Sequence, residues 1–471
     1  MTDTASNLTS DASSDASSDA SSDAMRALLR DASERASRYL AALNERAVAP
    51  DPAAVARLDA LDTPLPAGPS DPTETLAELD SHADATMAMA GPRFFGFVIG
   101  GALPSTLAAN WLAGAWDQNA ALTVMSPLAA RLEAVATRWL VDLLGLPSGT
   151  VAGFVTGATM ANMTCLLAAR HAVLARAGWD VEADGLFGAP PVTVVIGDEA
   201  HTSLIKALGL VGFGRNRVVR APVDEQGRIR AETFPAISGP TIVCLQAGNV
   251  NTGAFDPASE LIPRARAAGA WVHVDGAFGL WAAAAPTRAH LMAGYAEADS
   301  WATDGHKYLN TPYDSGLAFV RDPQALRAAM SITAAYLPIG QSIEPSELTP
   351  EMSRRARGVE VWAALRSLGR AGMADLVEQT CRQARRFADG LRAAGYEVLN
   401  EVDLNQALIA FGDDERTRRV IEGVQRDGTC WAGGTVWRGR AAMRISVSSW
   451  RTTDADVERS LAAIIRVAGE V

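Results

Sequence analysis

WVHVDGAFG, residues 271–279, is an apolar run interrupted by His273 and Asp275 and ended by small residues. A continuous β-rich run of this kind reads as a strand covered on both faces, with its carboxylate at the strand's carboxyl end. Open α/β sheets bind their ligands at that end. Similar runs recur at 192–198 (VTVVIGD), 216–223 (NRVVRAPV), 241–248 (TIVCLQAG) and 315–322 (SGLAFVRD), separated by helical patterns. The central part of the chain therefore reads as an α/β fold with a mostly parallel sheet.

Working outward, a long helical pattern from Ser353 is followed by strand-like runs at 406–412 (QALIAFG) and 442–449 (AMRISVSS), which suggests a smaller α+β domain. Upstream, helical spacing begins at Met25 and a Pro-rich connection, LDTPLPAGPSDP, occupies 61–72. Before it stands DASSDASSDASSDA at 11–24, which offers no large apolar side chain to bury. The expected division is a disordered Asp/Ser tail (1–24), a helical arm (25–90), a large domain (91–350) and a small C-terminal domain (351–471).

A chain of 471 residues exceeds what one core supports, and 48% hydrophobic with 20% charged residues is an enzyme-like composition. The net charge of -12 argues against a nucleic-acid partner, whose backbone needs a basic face. Apolar stretches such as LWAAAAP (280–286) are too short to cross a bilayer, and the acidic, polar MTDTASNLTS is unlike a signal peptide. A cytoplasmic protein without a membrane partner is expected. Cys165, Cys244, Cys381 and Cys430 are far apart and form no CxxC pair, which suggests reduced thiols.

The chemistry concentrates in HVDGAFG and in ADSWATDGHKYLNTPYDSG at 298–316, where Lys307 directly follows His306. A lysine amine able to form a Schiff base, and a carboxylate able to keep a pyridine nitrogen protonated, are what pyridoxal 5'-phosphate requires. The types His273, Asp275, Asp304 and His306 would also suit a divalent ion. The segment GFVTGATMANMTCLLAARHAV at 153–173 favours the phosphate-bearing cofactor over a metal. It sets Gly157, Ala158 and Thr159 at a helix start, where free amides and a hydroxyl can hold an anion. The same residues also read as an ordinary Thr-capped helix entry.

On these motifs the sequence resembles the group II pyridoxal-dependent amino-acid decarboxylases of fold type I, whose aromatic amino-acid and glutamate members carry an HxDxA and an HK segment. The likeness runs over about residues 25–465 and implies a large domain with a mostly parallel sheet, a small C-terminal domain and an N-terminal helical arm. It implies that Lys307 binds the cofactor, that Asp275 meets its ring nitrogen, and that Gly157, Ala158 and Thr159 take its phosphate. Ala277 and His306 belong to the same two cofactor motifs. His201, in GDEAHTSLIKALGLVG (197–212), matches the histidine that stacks on the ring, and Asn251 and Thr252, in LQAGNVNTGAFDP (245–257), match a loop beside it.

The implied reaction is decarboxylation of an L-amino acid to carbon dioxide and an amine. Tyr336 keeps the place of the tyrosine that returns a proton to Cα, and because that loop serves the partner subunit a homodimer is implied. The segment GPRFFGFVIGGALPS (91–105) resembles the lining of the substrate pocket, where Phe94, Phe95 and Phe97 could contact an aromatic side chain, Phe95 foremost, and an apolar or aromatic amino acid is favoured. Arg444 matches the carboxylate-binding arginine of fold type I aminotransferases, which keeps an aminotransferase or a Cα–Cβ lyase of aldolase type as the alternative. No metal is expected. Asp304-Gly305 departs from the Asn-Pro of the aromatic decarboxylases.

Overall fold

The computed structural model describes residues 11–332 and 343–471. The chain divides into two compact units between Gly91 and Pro92.

The first unit is helical, with helices at Asp11–Ala42, Pro52–Ala56 and Pro72–Ser81. Asp51 and Asp71 open the shorter two: each side chain accepts a first-turn amide, and each is followed by a proline. Arg35 donates to Asp31 and Asp80 at 2.9 Å each and so ties the first helix to the third. The first helix starts at Asp11, inside the Asp/Ser repeat.

The second unit carries a seven-stranded sheet: β1 (Val151–Val155), β2 (Thr193–Gly197), β3 (Val219–Ala221), β4 (Thr241–Gln246), β5 (Trp271–Asp275), β6 (Ser300–Asp304) and β7 (Gly316–Val320). Their order is β1-β7-β6-β5-β4-β2-β3. β7 runs antiparallel to both neighbours and the remaining pairs are parallel, so β1 to β6 all end on one edge.

Alternation along each strand divides the sheet's two faces. Val195, Val243, Leu245, Val272 and Val274 join one core, while Val194, Ile196, Ile242, Cys244 and Trp271 join the other. The second core also receives Ala161, Cys165, Leu166 and Ala169 of the helix Ala158–Arg176. By the same alternation, His273 and Asp275 share the face of Trp271 and look toward that helix. Each fully buried Val, Leu or Ile here stabilises the fold by about 1.5–3 kcal/mol.

A second, antiparallel sheet contains β8 (Glu397–Val398), β9 (Gln406–Ala410), β10 (Gly433–Trp437) and β11 (Arg440–Ser446), in the order β10-β11-β9-β8. Its core includes Phe387, Ile409, Phe411, Ile445 and Ile464. The long helix Gly358–Ala393 breaks at Gly369, whose φ of 60° suits glycine. It gives Val361, Met373 and Val377 to the core of the large sheet, and Ala384, Phe387 and Leu391 to that of the small one. One helix thus serves both cores, and Pro92–Val471 forms a single unit across the expected boundary at 350/351.

Candidate active site

Five strand ends deliver the candidate residues to one edge of the large sheet. β1 is followed by Gly157 at the start of the helix Ala158–Arg176, and β2 by His201 at the start of the helix Thr202–Leu210. β4 leads into the turn of Asn249, Asn251 and Thr252, β5 ends on Asp275, and β6 ends on Asp304 just before His306 and Lys307.

Lys307 Nζ stands 2.9 Å from Asp304 Oδ2 and 5.8 Å from the centre of the Phe278 ring. Asp304 Oδ1 accepts the amide of Ala158 at 2.6 Å, so this carboxylate spans the lysine and the helix start. A Cβ on Gly157 would lie 3.2 Å from His306 Cε1 and 3.4 Å from Asp304 Oδ1, and glycine is what lets these groups close on the helix end. His306 Nδ1 accepts the Ser315 amide at 3.1 Å, and its ring stacks on Tyr313 at 4.2 Å. Burial holds the His306 pKa below its ordinary value, against the pull of Asp304.

Asp275 is 3% exposed and has no cationic partner among the described residues. Its Oδ2 accepts from Asn162 Nδ2 at 3.1 Å and its Oδ1 from the Ala277 amide at 3.3 Å. It lines one small cleft with His201, Gln246 and Asp256. His201 Nδ1 accepts the Ser203 amide at 3.2 Å and lies 2.7 Å from Ser203 Oγ, an arrangement that leaves its proton on Nε2. Burial lowers the His201 pKa, Asp275 opposes that shift, and Lys307 and Arg444 reinforce it. A flat neutral ring, a carboxylate without a cation, a lysine amine and a helix start thus converge, and these groups fit pyridoxal phosphate.

Other expected residues are placed differently. Thr252 is 2% exposed, and its hydroxyl donates to Gln226 O at 2.6 Å, so it holds the turn together. Asn249 Oδ1 caps that turn by accepting the amides of Asn251 and Thr252. Asn251 Oδ1 accepts from Arg444 Nη1 at 3.3 Å and from Thr435 Oγ1 at 3.0 Å. Arg444 is partly buried, its Nε has no partner, and among the described residues it meets no carboxylate. Tyr336 lies outside the described residues.

Phe95 is a correction. It is 1% exposed, packs edge-on against Phe387 at 4.9 Å in the core of the small sheet, and bonds through its backbone to Trp431 and Ser446. The accessible aromatic of that segment is Phe97, 62% exposed and stacked on Trp431 at 5.8 Å. Phe97 has a φ of 59°, so the backbone leaves regular alternation here and the side chains of the run do not follow a strand pattern.

Two polar residues of the site lacked a clear sequence signal. Asn162 sits inside a helix read only for its start, although a polar residue one turn after Ala158 on a buried face was the available hint. Asp304 stands out in the sequence as a residue type that would suit a metal and as a departure from the family's Asn, and neither signal points to its pairing with Lys307. Among the described residues no three His, Cys, Asp or Glu side chains gather as a metal site.

A lysine, a carboxylate and a flat histidine at the strand ends of a mostly parallel sheet, beside an anion-binding helix start, define a fold type I pyridoxal-phosphate enzyme. The conserved domain of the pyridoxal-dependent decarboxylases matches residues 70–412, and the chain belongs to that family. It is a carboxy-lyase that uses pyridoxal phosphate and acts on an amino acid. It is 29% identical over 422 residues to tryptophan decarboxylase 1 of Oryza sativa subsp. japonica, covering 80% of each chain. It is 26% identical to the aromatic-L-amino-acid decarboxylase of Bacillus atrophaeus, covering 86% of this chain and 88% of that one. The crystal structure of Oryza sativa TDC with PLP and tryptamine superposes with a TM-score of 0.87 at 24% identity, covering 95% and 98% of the two chains, and it supports the fold.

Proposed function

We propose that the chain decarboxylates an aromatic or other apolar L-amino acid, with Lys307 as the cofactor lysine. The observation that carries this reading is that Asp275 and His201 line one cleft, with Lys307 near enough for its charge to act on His201. In it Asp275 holds the proton on the ring nitrogen, His201 covers the ring face, and the helix start at Gly157, Ala158 and Thr159 takes the phosphate with His306. When bound, the cofactor supplies the electron sink for the charge left at Cα as carbon dioxide departs. Ala277 sets the backbone amide that steadies Asp275.

Arg444, held by Asn251, receives the substrate carboxylate before it leaves. Tyr336, by its place in the sequence, returns the proton to Cα. An aromatic substrate is supported by Phe97, three residues before Gly100, whose amide donates to His306 O. The names of the two relatives agree with this. The family assignment favours decarboxylation over the aminotransferase or Cα–Cβ lyase alternative.

A homodimer is part of the proposal. Large apolar side chains stand exposed along 111–128, among them Trp111, Leu112, Trp116, Val124, Met125 and Leu128, and such a concentration marks a protein interface. The cytoplasm is proposed as its compartment, supported by four free, buried cysteines. No helix among the described residues is long and apolar enough to cross a membrane.

The direct test is a panel of L-amino acids assayed for carbon dioxide and amine, with Lys307→Ala and Tyr336→Phe beside the native enzyme. Release from aromatic substrates, abolished in Lys307→Ala together with the visible absorbance of the cofactor, is expected. Tyr336→Phe should lose amine and release aldehyde, with an equal amount of the cofactor left in its pyridoxamine form. Carbon dioxide from acidic amino acids alone would overturn the substrate class.

A further inference from the structure

Behind Asp275 lies a line of polar groups that the functional reading does not use. Trp271, His273 and Asp275 share one face of β5, and Asn162 faces them from the helix Ala158–Arg176. Ser300, opposite His273 on β6, completes the set. Asn162, His273 and Ser300 are fully buried, and Trp271 and Asp275 nearly so. The contacts are Trp271 Nε1 to Ser300 Oγ at 2.9 Å, Ser300 Oγ to His273 Nδ1 at 3.0 Å, His273 Nε2 to Asn162 Oδ1 at 2.8 Å, and Asn162 Nδ2 to Asp275 Oδ2 at 3.1 Å.

The proton positions follow from the two ends. An indole nitrogen only donates and a carboxylate only accepts. Asn162 must turn its amino group to Asp275, which leaves its oxygen for His273, and the histidine proton therefore sits on Nε2. Nδ1 is then an acceptor and takes the Ser300 hydroxyl, whose oxygen receives Trp271. Every donor points the same way, toward Asp275, and no member is left unmatched. Burial pushes the His273 pKa down to about 3, which keeps the ring in the neutral form that this chain of donors uses.

We propose that Asn162 and His273 are positioning residues that fix the orientation of the Asp275 carboxylate, leaving Oδ1 for the ring nitrogen of the cofactor. This rests on the assignment of Asp275 to that nitrogen. A carboxylate free to rotate would hold the ring proton less well, because buried charge-assisted bonds depend on geometry. Removing the Asn162 donor leaves Oδ2 unpaired. Removing the His273 donor lets the Asn162 amide flip and present its oxygen to the carboxylate.

The test uses the full-length enzyme and pyridoxal phosphate, and reads the cofactor dissociation constant and the pH midpoint of the bound cofactor's visible absorbance. Glu199, His201, Cys244 and Asp256, which line the cleft with Asp275, and Lys307, Asp304 and Arg444, whose charges reach it, stay unchanged in every variant. Asn162→Leu and His273→Phe should each weaken cofactor binding by about 10- to 100-fold and shift the midpoint, lowering kcat with KM little changed. His273→Gln, whose side-chain amide can still donate to Asn162 Oδ1, should restore both readouts. Should Asn162→Leu not fold, Asn162→Ser is read in the same way.

If both disruptive variants keep the native midpoint and affinity and lose only thermal stability, the network is packing and the proposal fails. Asp275→Asn separates the two levels. A native midpoint in that variant refutes the Asp275 assignment itself, whereas a shift there with none in Asn162→Leu refutes only the positioning role.

Discussion

Lys307 and Asp304 form an ion pair of 2.9 Å, while the other oxygen of the same carboxylate takes the first amide of the helix that faces the proposed phosphate site. Asp304 thus lies between the two groups that the cofactor engages. Once Lys307 is bonded to the cofactor it no longer carries a free ammonium, and Asp304 becomes an anion beside a phosphate. Asp304→Asn removes that repulsion and also removes the ion pair that favours the cofactor-free enzyme. Both effects act in one direction. Cofactor binding should tighten by about tenfold, the scale of an anion interaction at a helix end, and the melting temperature of the cofactor-free enzyme should fall. Equilibrium dialysis with pyridoxal phosphate checks the first effect, and unchanged or weaker binding would show that Asp304 helps to hold the cofactor.

Arg444 offers a second measurement. It is anchored by Asn251 at 3.3 Å, meets no carboxylate among the described residues, and has its pKa lowered by desolvation, as suits a guanidinium awaiting an anionic partner. Replacing it with lysine keeps the charge but loses the bidentate fork. Arg444→Lys should raise KM for the amino acid by about 10- to 100-fold, the worth of a charge-assisted pair, with a smaller change in kcat. Steady-state kinetics on the preferred substrate decides this. An unchanged KM would assign Arg444 to the structure of β11 alone.

The buried His273 makes a prediction about acid stability. Its folded pKa is pushed down to about 3, against an ordinary value of 6.5. Between those values the unfolded chain binds a proton that the folded chain refuses, so stability falls as pH drops from about 6.5 toward 3. The limiting effect is about 4–5 kcal/mol at 1.36 kcal/mol per unit. His201 and His306 are shifted in the same direction and steepen the loss. Melting temperatures from pH 7 to pH 5 should fall for the native enzyme and fall less for His273→Gln. Parallel curves for the two proteins would rule out His273 as a source of the acid sensitivity.

Much of this site could be read in the sequence because its key residues interrupt apolar strands. Asp275 and Lys307 stand out against runs of Val, Trp and Ala, and the strand end that carries Asp275 follows from such a run, whereas β6 (Ser300–Asp304), which leads to Lys307, is not among the runs that read as strands. β1 was harder, since Val151–Val155 leads straight into a helix whose start drew the attention. Of the three phenylalanines in 91–105, Phe94 and Phe95 are buried and Phe97 is exposed, a difference that the run of like side chains does not encode and that a positive φ at Phe97 accompanies. Asn162 depends on a partner more than a hundred residues away, and no local pattern encodes such a contact.

The homodimer can be tested through the exposed apolar residues of 111–128. Leu112 is 53% exposed and Trp116 42%, both on the helix Pro104–Trp116. If this surface is covered by a second copy, a carboxylate placed there would be desolvated without a partner, which costs far more than the lost apolar burial. The double variant Leu112→Glu with Trp116→Glu should therefore sediment as a monomer near 49.5 kDa, with the native enzyme at about twice that mass. It should also lose decarboxylase activity, because Tyr336 is proposed to serve the partner's site. Phe187, 98% exposed and far along the chain, supplies the control: Phe187→Glu should keep the native mass and activity. Equal sedimentation of all three proteins would remove the 111–128 surface from the interface, and a native enzyme of monomer mass would remove the dimer.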